Sequence, residues 1–311
     1  MSVKLRQLEC FLQVARCDLS MSKAAAALGA TQPAVSKQIR LLEEEIGVSL
    51  FDQRGNRLIE LSTAGAEILK CAQAVWREAE NIRRIAQDHS DRSSKVFSVA
   101  TTFTHARYML VKHVKDFIDR HPGIDLRLQQ GAPERIMRLV VEGAADIGIM
   151  TQPEGFPPEL VSVPCFQMKH SLVMPLNHPL SARRAVTLDA LAQYPIIAHD
   201  VAHQIGREIE RRFNEAGLRP NFVLQAQDSD VMKAYVEAGL GIAIIPKIAF
   251  SPLRDRNLRS KDVSHLFAPT TTHVVLRRGA YSAAHVVDFI QQLAPSVTRK
   301  AVNARLRMGA D

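Results

Sequence analysis

Two sets of residues in this 311-residue chain have the types and spacing to do chemistry with a partner. The first runs from Thr31 to Arg40, where Gln32, Pro33, Ala34, Ser36, Lys37 and Arg40 surround Val35 and Ile39. Val35, Ile39 and Leu42 recur at i, i+4 and i+7, so on a helix they face inward and leave the polar and cationic groups outward. Such groups read base edges and hold phosphates when a helix lies in a DNA major groove. The second set is Thr101, Thr102, Thr104 and His105, joined further along by Gln129, Gln130, Thr151, His203 and Gln204. Hydroxyls at a strand end that leads into a helix, with free helix N–H groups, suit a sulfate, phosphate or carboxylate. Each Thr or Gln alone is explained as well by a helix cap. Their recurrence at successive strand ends favours one shared cleft.

The elements needed to present the first set are written around it. Ala24, Ala25 and Leu28 give a preceding helix a small-residue face, and Gly29 supplies a sharp turn. Thr31 is placed as an N-cap, with Pro33 in the first turn, where a missing N–H costs little. A leading helix carries Leu5, Leu8, Phe11, Leu12 and Ala15 on one face. Downstream, Arg54 and Arg57 flank Gly55-Asn56 between Leu50-Phe51 and the strand-like Leu58–Leu61, a two-stranded wing whose arginines reach phosphates or a minor groove. An Ala-rich pair with a Gly turn is also an ordinary solvated hairpin; the leading helix and the wing favour a winged helix-turn-helix over residues 1–61.

Ser62 then caps a long helix to about His89. Within it Ile68, Ala72, Val75, Ala79, Ile82 and Ala86 are spaced 4, 3, 4, 3 and 4 apart, a narrow heptad seam that wants a partner helix. Packing on the chain's own larger domain is the alternative. A dimer interface fits the reader, because two heads related by a two-fold axis read an interrupted palindrome. Residues 62–92 are thus a dimerisation helix and hinge.

From Val96 the pattern alternates short apolar strands with helices, which predicts a mainly parallel sheet covered on both faces, repeated in two subdomains over 93–300. Residues 301–311 read as a solvated basic tail.

The formal net charge is +8, but residues 1–95 hold 14 Lys/Arg against 12 Asp/Glu, and the last sixty hold 10 against 4. DNA affinity should therefore rest on a local cluster of Lys37, Arg40, Arg54 and Arg57, doubled by dimerisation. No apolar run reaches transmembrane length, and residues 1–7 form no signal-peptide core, which predicts a cytoplasmic protein. Cys10, Cys17, Cys71 and Cys165 lack metal or CxxC spacing and read as small buried thiols. No GxSxG, P-loop, GxGxxG or HExxH motif is present, so neither catalysis, metal nor cofactor is expected.

Thr31-Gln-Pro-Ala-Val-Ser36, Leu42-Glu-Glu-Glu-Ile-Gly47, Leu50-Phe51 and Ser62-Thr-Ala-Gly65 occur in the order that characterises LysR-type transcriptional regulators, and the chain resembles that family. Gly143-Ala-Ala-Asp-Ile-Gly148 and Gly239-Leu-Gly-Ile-Ala-Ile-Ile-Pro246 extend the resemblance to about residue 300. It implies an α/β chain: a winged head, a linker helix that dimerises, and an effector domain built like a type 2 periplasmic binding protein. Subdomain I would span about 93–167 and 270–300, and subdomain II about 168–269. Dimers commonly pair into tetramers in this family, and RNA polymerase is an implied partner beside promoter duplex DNA. Ala100–Tyr108, Gln129–Pro133, Leu191–Pro195 and Asp228–Tyr235 further resemble the sulfur-assimilation branch, the CysB and Cbl type. That branch implies a sulfate, thiosulfate, acetylserine or adenylylsulfate effector, with its anion-binding threonines falling on Thr102, Thr104 and Thr151. Three positions depart: His105 stands where the branch has Gln, Gln204 where it has Thr, and Phe103 replaces a polar residue. His105 then either adds positive charge to an anion site or is a surface histidine at a helix start. A regulator of another pathway and a non-regulatory anion-binding protein are the competing readings.

Overall fold

Three short helices form where the spacing demands. In α1 (Leu5–Arg16), α2 (Met21–Ala27) and α3 (Gln32–Ile46), the inward residues Leu8, Phe11, Leu12, Ala24, Ala25, Val35, Ile39 and Leu42 are all buried. The structure, a computed structural model, describes residues 2–54, 57–88, 95–151, 155–201 and 203–307, with the side chains of 53–59, 87 and 307 outside it. The chain divides into two units, residues 1–91 and 92–311.

In the first unit, Ser20 caps α2 by accepting a hydrogen bond from the Lys23 N–H at 3.3 Å. The turn into α3 passes through Gly29 at φ +59°, a left-handed conformation that crowds any residue with a Cβ. Thr31 does hold the N-cap position with extended backbone, yet its hydroxyl makes no capping bond, contrary to expectation. Pro33 is the second helical residue and has no N–H to donate, which removes one of the two groups a cap normally serves. Leu5, expected inward, is half exposed in the first turn of α1, and Val14 and Cys10 fill the core instead. Phe11 meets Phe51 edge-on at 5.4 Å between ring centroids. β1 (Phe51–Arg54) and β2 (Arg57–Leu61) then pair antiparallel as the wing, with a bulge between Asp52 and Gln53.

The long helix α4 (Thr63–Asp88) begins where Ser62 predicts: its hydroxyl accepts from Gly65 N–H at 2.8 Å and donates to Ser49 C=O at 2.6 Å. Its apolar seam divides. Ala72 is buried and Ile68 half-buried against the core of the chain's own head, so these two serve tertiary packing within one copy. Val75 and Ile82 are 48% and 70% exposed, so the seam beyond Ala72 is not covered by the head.

The second unit runs β3 (Lys95–Thr101), a π-helical turn (His105–Met109) into α5 (Leu110–Arg120), β4 (Ile124–Gln130), α6 (Pro133–Val141), β5 (Ile147–Thr151) and β6 (Leu160–Met168). It continues with β7 (His170–Pro175), α7 (Leu188–Ala192), β8 (Pro195–His199), α8 (Gln204–Glu215), β9 (Asn221–Ala226), α9 (Ser229–Glu237), β10 (Ile242–Pro246) and β11 (Leu258–Asp262). β12 (Thr270–Arg277), α10 (Ala284–Leu293) and α11 (Arg299–Arg307) complete it. Two five-stranded sheets result, ordered β4-β3-β5-β12-β6 and β11-β7-β10-β8-β9. The mainly parallel sheets expected do form: four strands of each run in one direction, with a single strand, β12 or β7, running against them. β12 runs antiparallel to β5 and β6, and β7 antiparallel to β10 and β11. The physical reason is the crossing: the chain leaves the first sheet at Met168, enters the second at His170, and returns between Asp262 and Thr270.

One core packs Phe289 edge-on against Phe97 and Phe117 at 5.3 and 5.2 Å, with Val99, Ile147 and Ile149; another packs Leu172, Ile196, Ile209, Phe213 and Ile244. The predicted solvated tail is instead largely α11. Val302 and Leu306, four residues apart, are buried in the first core, and Arg305 donates to the Ser162 carbonyl at 2.5 Å. Periodicity of two apolar residues in a basic stretch was too short a signal to read as a helix.

Candidate functional site

On the reading head, Thr31, Gln32, Pro33, Ala34, Ser36, Lys37 and Arg40 are all exposed along the front of α3, while Val35 and Ile39 anchor it from behind. Arg40 lies 3.5 Å from Glu44, a solvated pair that leaves the guanidinium available to a phosphate. Arg54 and Arg57 face each other across the wing ladder as backbone partners; their side chains lie outside the described residues.

In the second unit a small cavity opens where strand ends meet. β3 delivers Thr102, Thr104 and His105 through the π-helical turn, and Thr151 is the last residue of β5. Across from them, β8 ends on His199, His203 precedes α8, Gln227 follows β9 and Pro246 ends β10. Met168, His170 and Thr270 line it at the crossings, and Ile205 comes from the first turn of α8. Gly206 makes this approach feasible: a Cβ there would meet the Asp200 and His199 carbonyl oxygens at 2.4 and 2.5 Å, so the helix end packs against bare backbone.

Within the cavity His105 bridges two hydroxyls, with Nδ1 2.6 Å from Thr102 Oγ1 and Nε2 2.9 Å from Thr272 Oγ1. Burial, reinforced by the facing His203, lowers its pKa to about 4. Both earlier readings of His105 are therefore corrected. It is neither a surface residue nor a cation near neutral pH, but a neutral ring locked between hydroxyls. Thr104 Oγ1 lies 3.2 Å from Ser229 Oγ on α9, a contact between the two sheets' territories. The same junction is tied by Tyr108, which donates to Asp230, and by Lys233, whose ammonium reaches Tyr108 Oη at 3.0 Å and Asp255 at 2.8 Å.

Four expected cleft residues do not line the cavity. Thr101 turns its hydroxyl to the Ile149 carbonyl at 2.8 Å within the sheet. Gln129 donates to the Ala144 carbonyl at 3.0 Å, and Gln130 is exposed, because β4 is the outer strand of its sheet. Gln204 is the first residue of α8, and its side chain is not part of the lining. Conversely, His170, His199, Gln227 and Thr270 were missed. The rule that ligands gather beyond strand ends would have found His199 and Gln227. His170 and Thr270 depend on where the chain crosses. Among the described residues no three His, Cys, Asp or Glu side chains converge to hold a metal ion. Of the cysteines, Cys10 is buried but Cys71 is exposed.

Two family models match the chain: "Bacterial regulatory helix-turn-helix protein, lysR family" over residues 5–66, and "LysR substrate binding domain" over residues 90–297. The HTH-type transcriptional regulator CysB of Burkholderia cenocepacia is 39% identical over 309 residues, covering 99% of both chains. The HTH-type transcriptional regulator SsuR of the same organism is 38% identical, covering 98% of this chain and 99% of that one. Among solved structures, the cofactor-binding domain of the Cbl transcriptional regulator superposes with a TM-score of 0.67 at 34% identity, covering 70% of this chain and 96% of that chain.

Proposed function

Because the chain belongs to the LysR family and is a DNA-binding transcriptional regulator, not an enzyme, we propose that it controls sulfur-assimilation genes in response to a small oxyanion or sulfur-related effector held in the cavity. Promoter duplex is read by paired heads through Gln32, Ser36, Lys37 and Arg40, with Thr31, Pro33 and Ala34 at the helix front and Arg54 and Arg57 on phosphates. Val75, Ala79 and Ile82 hold two copies together, and two dimers form the working tetramer. Thr102, Thr104 and Thr151 contact the effector, with His105 fixing the Thr102 hydroxyl. Effector binding favours one arrangement of the subdomains, and that difference in affinity shifts DNA bending and the contact with RNA polymerase in the cytoplasm. Among the described residues no helix is long and apolar enough to cross a membrane.

The observation that carries this reading is the hydroxyl-lined cavity at the junction of two sheets, with a helix N-terminus at its wall. A thermal-shift screen with sulfate, thiosulfate, acetylserines and adenylylsulfate, followed by footprinting on a sulfur-gene promoter, tests it. The reading predicts that one of these raises the unfolding temperature and alters the footprint, and that Thr102→Ala loses the response but keeps DNA binding. An unchanged footprint with all of them removes the sulfur assignment.

A further inference from the structure

Three of the cavity's histidines have no part in the reading above. His170, His199 and His203 are 0%, 3% and 8% exposed and come from β7, β8 and the start of α8. Both ring nitrogens of His170 and His199 and the Nε2 of His203 have no hydrogen-bond partner. A buried polar nitrogen without a partner is destabilising, and proteins rarely tolerate one without a use for it. Here several line a single wall. The twelve-residue helix α8 starts beside them, and His203, at its N-cap position, makes no side-chain capping bond. The wall therefore combines a helix N-terminus with imidazole nitrogens, and both are complementary to an anion.

We propose that this cavity binds a compact, multiply charged oxyanion together with one proton, and that His203 carries the proton. The inference rests on the reading of the cavity as the effector site and adds its charge selectivity. Without an anion every imidazole here is held neutral. Burial lowers His170 to about 4 and His199 to about 3, and His203 adds to the effect on His105 and His199. The Ala226 backbone favours charged His199 slightly, without completing a hydrogen bond. His203 is lowered by burial first and by Arg207, but Asp200 and Glu134 oppose that shift. It is the one ring of the four with carboxylates acting in favour of its charge. The helix N-terminus also opposes a cation at this position while the cavity lacks an anion. A bound dianion reverses that balance, because it attracts the imidazolium and accepts its N–H bonds. Zwitterionic ligands supply their own ammonium group and gain much less from a protonated wall.

The sign of the linkage follows. His203 has the higher pKa in the bound state, so binding takes up a proton between the free and bound values. Affinity there falls about tenfold for each unit rise in pH. The test is calorimetric titration of sulfate and of thiosulfate into the full chain at several pH values between about 6 and 7.5. Bis-Tris and Tris serve as buffers: both are cationic, carry no oxyanion and differ in ionisation enthalpy. Neither probe anion titrates in this range. The proposal expects about one proton taken up per anion and the tenfold slope. It also expects His203→Gln to bind with a flat profile and no buffer dependence. A cooperative thermal unfolding transition of the 92–311 unit near that of the parent reports that the variant has folded, and the wild-type proton count decides the matter if it has not. Binding that is independent of pH and buffer overturns the proton coupling and leaves the effector cavity standing. A slope that survives in His203→Gln overturns the assignment to His203. No binding of either anion at any pH removes the oxyanion reading and this inference with it.

Discussion

Replacing Gly206 by alanine tests how the cavity wall is built. The added Cβ would lie 2.4 Å from the Asp200 carbonyl oxygen and 2.5 Å from that of His199, where real contacts essentially never fall below 3.0 Å. The shortfall is therefore at least 0.6 Å. The carbonyls cannot supply it. His199 is paired with Ala226 in the β8–β9 ladder, and Asp200 N–H donates to the Ala226 carbonyl at 3.1 Å. The first turn of α8 must withdraw instead, and overpacking of this kind costs roughly 1–3 kcal/mol. In a unit of this size each kcal/mol lowers the unfolding temperature by roughly 2–4 °C, so the middle of the range gives a drop of about 4–8 °C. The withdrawal also carries His203 and the helix N–H groups away from the cavity, so the rise in unfolding temperature produced by saturating sulfate should shrink. Gly217 at the other end of α8 provides the contrast: its φ of +67° strains an alanine, but a Cβ there meets open space. Gly217→Ala should lose about 1 kcal/mol yet keep the full ligand response. Scanning calorimetry with and without sulfate reads both variants. If Gly206→Ala unfolds within about a degree of the parent with an undiminished ligand response, the close packing of helix on backbone does not shape the site.

Other outcomes follow from the same structure. Lys233→Met leaves Asp255 without its ammonium partner while Asp230 keeps Arg107 at 2.8 Å, and urea unfolding should show a loss of roughly 1–3 kcal/mol. Val75→Glu with Ile82→Glu should yield a folded monomer by light scattering, while Ala72→Glu, buried within one copy's head, should unfold the head instead. Arg54→Ala and Lys37→Ala should each weaken binding to every duplex offered and flatten the dependence of log K on log salt by roughly one contact per copy. Leu306→Asp should lower the unfolding temperature by several degrees, since α11 closes the first core; a solvated tail would not respond.

Much of this architecture is local and could be read residue by residue. The i, i+4, i+7 spacing of Val35, Ile39 and Leu42 fixed which face of α3 is exposed, and Ser62 marked the start of α4, because helix periodicity and capping involve only near neighbours. Thr102, Thr104, His105, Thr151 and His203 were all recognised as cleft residues, since each sits at the end of a strand or the start of a helix. The sequence also showed the seam of α4. It did not show that Ile68 and Ala72 are committed to the chain's own head while Val75 and Ile82 stay open, which depends on how far along the helix the three-helix core extends.

What the tertiary structure decided was which polar groups meet. Thr101 lies one residue from the cavity and Gln129 near the end of the neighbouring strand, yet their side chains satisfy carbonyls in and beside the first sheet, because alternate residues of a strand face opposite ways and β4 lies at the edge. His170 and Thr270 line the cavity because two crossing strands begin there, in an antiparallel arrangement that no local pattern announces. The chemical character of each residue was legible from its type alone. Whether a histidine is a neutral strut like His105 or an unpartnered donor like His199 depends on neighbours brought together from distant parts of the chain, and burial and pairing are properties of that assembly.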